Sequence, residues 1–214
     1  MSILLVVLSP RRKGTSTLLA NLLKQELGEA EGVWNLPDIT KEWSSFLQAA
    51  ETADTWIFTV PCYVNAIPGD ALKVLELLQK EQLQTGKYVY AIAQGGMPYA
   101  HTHHCCLGNI KLFAQAMQQQ WMGGLIIGGG AIVNGESLDR LPNAKQVKRC
   151  LQTMTACIRQ HAAIPSQLIQ KAEMKIPAFI ARMLSLKMNH TIHRQQKKIG
   201  THKHACYYIE KNEM

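Results

Sequence analysis

The chain has 214 residues, 47% of them hydrophobic and 18% charged, proportions that suit one globular domain with enough core to stand without disulfide staples and that exclude a disordered chain. Its formal charge of +8 is uneven: residues 165–214 hold nine Lys and Arg against three Asp and Glu, for +6, while residues 1–164 hold 14 against 12, for +2. The basic character therefore belongs to the C-terminal stretch, and no apolar run approaches the length of a bilayer span.

The first element is the apolar run Ile3–Leu8. It lacks the basic lead of a signal peptide and is followed at once by Pro10, Arg11, Arg12 and Lys13, so it reads as a strand of a cytoplasmic protein. Further strand-like runs follow at 33–36, 55–60, 88–93 and 125–133, with helix-like runs between them. Continuous apolar runs, rather than strict alternation, predict strands covered on both faces. The expected fold is α/β, a flavodoxin-like three-layer sandwich on a five-stranded parallel sheet of order 2-1-3-4-5, with ligands at the carboxyl ends of the strands.

The helices carry start and stop signals. Thr15, Ser16 or Thr17 can cap the first, which ends near Gly28. Pro68 and Asp70 open the second, with Gly86 as its stop. A third is expected over 103–122, and a fourth from Pro142, carrying Val147, Leu151, Met154 and Ile158 inward. After Pro165 the pattern changes: Ile176, Phe179, Ile180, Met183, Leu184, Met188 and Ile192 recur at helical spacing among Lys175, Arg182, Lys187, Arg194, Lys197 and Lys198. The division expected is a domain over 1–164 and a basic amphipathic helical extension over 165–214. That helix can pack on the domain or a twin subunit, close over a neighbour's site, or lie on an anionic surface.

Three loops carry unusual chemistry. Ser9-Pro10-Arg11-Arg12-Lys13-Gly14-Thr15-Ser16-Thr17 brings hydroxyls, a glycine and charge to the start of a helix, where unpaired N–H groups and the positive dipole end favour an anion. The loop is neither a Walker A loop nor a dinucleotide GxGxxG, and taken alone it reads as ordinary helix capping. Pro61-Cys62-Tyr63-Val64-Asn65-Ala66-Ile67-Pro68-Gly69 is stiffened by prolines and offers a ring at Tyr63 and an amide at Asn65. Gln94-Gly95-Gly96-Met97-Pro98-Tyr99 lets backbone N–H groups approach a ligand closely. In a parallel sheet all three emerge on one edge.

Those motifs, Ser9-Pro10-Arg11 with the Gly/Thr/Ser run, Pro61-Cys62-Tyr63 leading to Ile67-Pro68-Gly69, and Gly95-Gly96, resemble the flavodoxin-like NAD(P)H-dependent FMN reductase superfamily over about residues 1–163. The resemblance implies FMN as cofactor, with its phosphate held by Ser9, Arg11, Thr15, Ser16, Thr17 and the N–H of Leu18. It implies a ring lined by Pro61, Cys62, Tyr63, Val64 and Asn65, with Gln94, Gly95 and Gly96 at its pyrimidine side. It further implies NADH or NADPH as donor and ping-pong hydride transfer through FMN N5 to a small acceptor such as a quinone, a flavin or a nitro compound. A homodimer or higher homo-oligomer is expected, with no nucleic-acid partner. Because the flavin carries the redox chemistry, no side chain is assigned as catalytic. Two other classes fit the same loops: a flavodoxin-type electron carrier, which the basic charge disfavours, and a non-redox binding module that keeps the fold.

The six cysteines, at 62, 105, 106, 150, 157 and 206, form neither a CxxC pair nor a disulfide framework, so reduced thiols are expected. The run His101-Thr102-His103-His104-Cys105-Cys106 offers metal-ligand types, but neighbours on a helix point apart. No metal is assigned; one histidine is expected beside the flavin and the cysteines inward. His202, His204, Cys206, Tyr207 and Tyr208 can reach an active site from the tail.

Overall fold

The computed structural model describes residues 1–28 and 30–198. Among these, five strands, β1 (Ile3–Val7), β2 (Ala30–Asn35), β3 (Thr55–Cys62), β4 (Tyr88–Gly95) and β5 (Gln120–Ile127), form one sheet of order β2-β1-β3-β4-β5. Every pairing is parallel. The expected flavodoxin-like topology is thus observed.

Side-chain alternation along β1 shows how the sheet organises two cores. Leu4, Val6 and Leu8 face one apolar cluster, which also holds residues of α2 (Leu36–Ile39), α3 (Trp43–Thr52), α4 (Gly69–Leu78) and α5 (His104–Ala116). Ile3 and Leu5 face the other, built with α1 (Thr15–Leu27), α7 (Ala144–Arg159) and α8 (Gln167–Ala172). Strands apolar on both faces are what a sheet between two helical layers requires. A short α6 (Gly130–Val133) follows β5.

Four element boundaries around α4, α5 and β5 differ from expectation. The helix opened at Pro68 stops at Leu78 rather than running to Gly86. The helix expected over 103–122 ends at Ala116, and Gln118 takes a positive φ of 54°. Gln119 then turns inward, accepting from the Lys87 N–H at 2.7 Å and donating to the Gln84 carbonyl at 2.9 Å, and β5 starts at Gln120 opposite Tyr88. Sheet pairing overrides the helical preference of the Gln-rich segment. At its other end β5 stops at Ile127 rather than Val133, and Gly128 and Gly129 leave the sheet as a loop that leads into α6.

The chain separates into two compact units, Met1–Met174 and Lys175–Met214. The first extends beyond the boundary expected at 164 because α8 belongs to it: Leu168, Ala172 and Met174 are buried. Before α8, the Ile164 N–H donates to the Met122 carbonyl at 2.7 Å, and the Tyr90 hydroxyl donates to the Ala162 carbonyl at 3.0 Å, so residues 162–164 run along the outer side of β5. Burial pushes the Tyr90 phenol up to about 12. The second unit contains α9 (Ala178–Lys198), the expected apolar and basic helix. The helix end expected at Ile199-Gly200 and the tail residues His202, His204, Cys206, Tyr207 and Tyr208 lie outside the described residues.

Candidate functional site at the carboxyl edge of the sheet

Sheet register brings the loops together. Pro61 pairs with Gln94, Cys62 with Gly95, and Gln94 in turn with Ile127. The turns after β1, β3 and β4 therefore emerge side by side, as expected, and a fourth loop after β5 joins them. Between them lies a cavity of about 290 Å³ lined by Ser9, Arg11, Thr15, Cys62, Tyr63, Gln94, Gly95 and Gly96 of the residues anticipated, together with Gly14, Gly130, Ala131 and Asn134. The last three were missed because the triple glycine 128–130 reads as part of an apolar strand, although three successive glycines are a loop signal. Ser16, Thr17, Leu18, Pro61, Val64 and Asn65 do not line this cavity.

In the turn after β1, Ser9 is buried and its Oγ accepts from the Arg11 N–H at 3.2 Å. Gly14 is the N-cap of α1 and no side chain caps the helix. Among the described residues, the N–H groups of Thr15, Ser16 and Thr17 find no acceptor, whereas the Leu18 N–H donates to the Gly14 carbonyl at 3.0 Å. Leu18 is therefore the first residue closed into the helix, and its N–H is committed to the chain rather than to a phosphate. Arg12 turns away to pair with Asp38 at 2.5 Å, which raises its guanidinium pKa further. Arg11 is the cation at the cavity wall.

Two hydroxyls of this turn hold the chain itself. Thr15 Oγ1 donates to the Gly130 carbonyl at 2.8 Å and accepts from the Gly135 N–H at 3.2 Å, tying α1 to the loop after β5. Gln94 Nε2 donates to Ser16 Oγ at 3.1 Å, tying α1 to β4. Gly135 has a φ of 75°, and a Cβ there would sit 2.8 Å from Gly14 Cα, so the two loops touch backbone to backbone. Thr17 Oγ1 is buried without a hydrogen-bond partner. A buried hydroxyl left in this state invites a ligand or an ordered water.

The turn after β3 is tight. Tyr63 and Ala66 exchange backbone hydrogen bonds at 2.8 and 3.1 Å, and the two residues between them, Val64 and Asn65, have φ values of 50° and 60°. A β-branched residue in the left-handed region is strained by about 1–2 kcal/mol. Val64 is also 98% exposed and Tyr63 is 46% exposed, so the turn holds out an aliphatic side chain and a ring to solvent.

The turn after β4 is positioned by His103, on the 3-10 turn Ala100–His103. Its buried ring lies against Gly95, where a Cβ would come within 2.9 Å of Nδ1, and Nε2 donates to the Met97 carbonyl at 3.0 Å. His103 therefore shapes the loop rather than facing the cavity. The Ala100 N–H donates to Glu173 Oε1 at 2.8 Å, fixing the start of the same turn. His101 is exposed and stacks on Tyr99 with ring centroids 5.7 Å apart.

The uncapped α1 N–H groups beside Arg11, at the wall of the cavity, suit a ligand that carries an anionic group. The family model for NADPH-dependent FMN reductases matches residues 1–125. The chain belongs to this family. Among solved structures, an NADH:FMN oxidoreductase in its apo form is 16% identical with a TM-score of 0.56, covering 78% of this chain and 93% of that one. Flavodoxin 1 from Bacillus cereus is 17% identical with a TM-score of 0.55, covering 76% and 100%. General stress protein 14 from Treponema denticola, solved in complex with FMN, is 11% identical with a TM-score of 0.55, covering 73% and 98%. At these identities the likeness concerns the fold. No curated protein matches the chain. The structure contains no helix, among the described residues, long and apolar enough to cross a membrane.

Proposed function

We propose that this FMN reductase family member is an FMN-dependent NAD(P)H oxidoreductase acting on a small acceptor such as a quinone, a flavin or a nitro compound. The observation that carries the reading is the juxtaposition of an uncapped helix N-terminus and Arg11 with a cavity walled by Tyr63, Gly95 and Gly96.

Within this reading, FMN would supply the two-electron redox chemistry between a nicotinamide and the acceptor. Arg11 and the N–H groups of Thr15, Ser16 and Thr17 bind its phosphate by charge and by the dipole end of α1. Ser9 orders the Arg11 backbone, and Ser16 sets the Gln94 amide. The backbone N–H groups of Gly95 and Gly96, at the cavity wall, would stabilise negative charge on a bound ring, in the manner of an oxyanion site. Tyr63, half-exposed at the cavity mouth, would help orient donor and acceptor, and a single shared site for the two would give ping-pong kinetics. A small-molecule acceptor and a homo-oligomer of two or more chains go with this reading.

A second reading, a non-redox module that keeps the fold, is favoured by one observation: the Thr15 and Ser16 hydroxyls are already bonded within the chain, and Gly135 rests on Gly14. The test is the visible spectrum of the purified protein with and without added FMN, followed by anaerobic addition of NADH and of NADPH. A stoichiometric yellow complex bleached by a nicotinamide, with turnover on quinones, free flavins or nitroaromatics, is expected. A colourless protein that takes up no FMN would overturn the proposal in favour of the second reading.

A further inference from the structure

Behind the β3 turn lies a cluster of sulfurs that the reading above leaves unused. Cys62 ends β3, and Cys105 and Cys106 sit in the first turn of α5; their three Sγ atoms all lie within 4.8 Å of one another. Cys105 Sγ and Cys106 Sγ are 3.9 Å apart. Cys62 and Cys106 are buried in one apolar cluster with Ile67, Ala100 and Leu107, while Cys105 reaches solvent. The Cys62 thiol is 3.5 Å from the Thr102 carbonyl, and the Cys105 thiol contacts the Asn65 carbonyl.

We propose that Cys62, Cys105 and Cys106 form a three-thiolate binding site for a thiophilic closed-shell metal ion, of which Zn²⁺ is the representative. A Zn–S bond of about 2.3 Å sets tetrahedral sulfurs about 3.8 Å apart. The Cys105–Cys106 pair is already at that spacing, and the remaining sulfur closes by a movement of about 1 Å or less. Three soft donors lie within 4.8 Å of one another, and among the described residues the cluster brings no fourth protein ligand. His103 is held by the Met97 carbonyl. Thiolates in this number select zinc-like or cuprous ions over hard cations.

Loading involves no change of oxidation state. Three S–H bonds break, three metal–sulfur bonds form, three protons leave to solvent, and the complex with a divalent ion carries one net negative charge. The fourth position opens beside Cys105, where water or a small exogenous ligand completes the tetrahedron. The two ends of the site come from separate elements, so the ion would pin the β3 turn to the start of α5. Cys62 also lines the cavity, which makes that wall sensitive to the ion. This inference stands independently of the FMN reading.

The test uses the full chain, reduced and stripped of metal, titrated with Co²⁺ as a spectroscopic probe and then with Zn²⁺ in competition. Uptake of one equivalent of Co²⁺ with thiolate charge-transfer absorption, displaced by Zn²⁺, is expected. Cys105→Ser and Cys62→Ser should each weaken binding at least about tenfold, since even loss of an outer-shell partner costs that much, while Cys157→Ser should leave it unchanged. Cys105 is exposed, so its serine variant keeps the fold, which circular dichroism checks. Zn²⁺ should also protect Cys105 from alkylation. Absence of charge-transfer bands, equal affinity in Cys105→Ser, or a disulfide between two of the three cysteines with no metal uptake after reduction would overturn the site. FMN titration of the same preparation keeps this result separate from the outcome for the flavin.

Discussion

The turn after β1 and the turn after β3 open on one cavity, and they differ in what their polar and apolar groups are doing. In the first, Thr15 and Ser16 are buried, and their hydroxyls bridge α1 to the loop after β5 and to Gln94. In the second, Tyr63 and Val64 are turned outward on a backbone that Val64 adopts under strain. A satisfied, buried turn sets geometry, whereas a strained, exposed one is kept for contact with something else. Two hydroxyls of this stretch, those of Thr15 and Ser16, are thus engaged within the chain, while Thr17 Oγ1 and the first N–H groups of α1 have no partner among the described residues.

That contrast can be broken by mutation. Thr15→Val keeps the shape but leaves the Gly135 N–H without its partner and the Gly130 carbonyl with only the Asn134 N–H, and should cost about 1–2 kcal/mol in urea unfolding. A change near zero would mean that the hydroxyl is free for a ligand after all. Arg11→Gln should leave unfolding unchanged but weaken FMN about tenfold at low salt, with the loss shrinking as salt rises; fluorescence quenching titrations at two ionic strengths measure it. Val64→Gly should raise stability by about 1 kcal/mol by relieving the left-handed residue, with a poorer KM for the acceptor if the side chain is there for contact. Unchanged KM would reduce the turn to a hairpin tip. The smallest effect is one of order: burial pushes the Cys62 and Cys106 thiols up, with neighbouring thiols adding to it at Cys106. Iodoacetamide on metal-free protein near neutral pH should therefore label Cys105 before either.

The parallel sheet was readable because its strands are apolar on both faces and its helices begin at Thr15, Gly69 and Ala144 beside plain capping or proline signals. The three loops were readable because each follows a strand directly. What failed to show was whatever depends on a partner distant in the chain. No local signal says that Gln119 will bond the Lys87 backbone and start β5 early, or that Thr15 will meet Gly130 and Gly135. The cysteines are the clearest case. Neighbours on a helix are expected to point apart, yet Cys105 Sγ and Cys106 Sγ lie 3.9 Å from each other, and the sheet brings Cys62 up to them.

The short segment 162–164 on the outer side of β5 has a bearing on handling the protein. A truncation just after α7 would retain all five strands, yet it would strip the Ile164 N–H from Met122 and leave the end of the sheet with unpaired backbone groups. Such a border is a template for strands from other molecules. A shortened form would also uncover the core that Ile164, Leu168 and Ala172 fill, and would therefore be expected to self-associate in concentrated solution.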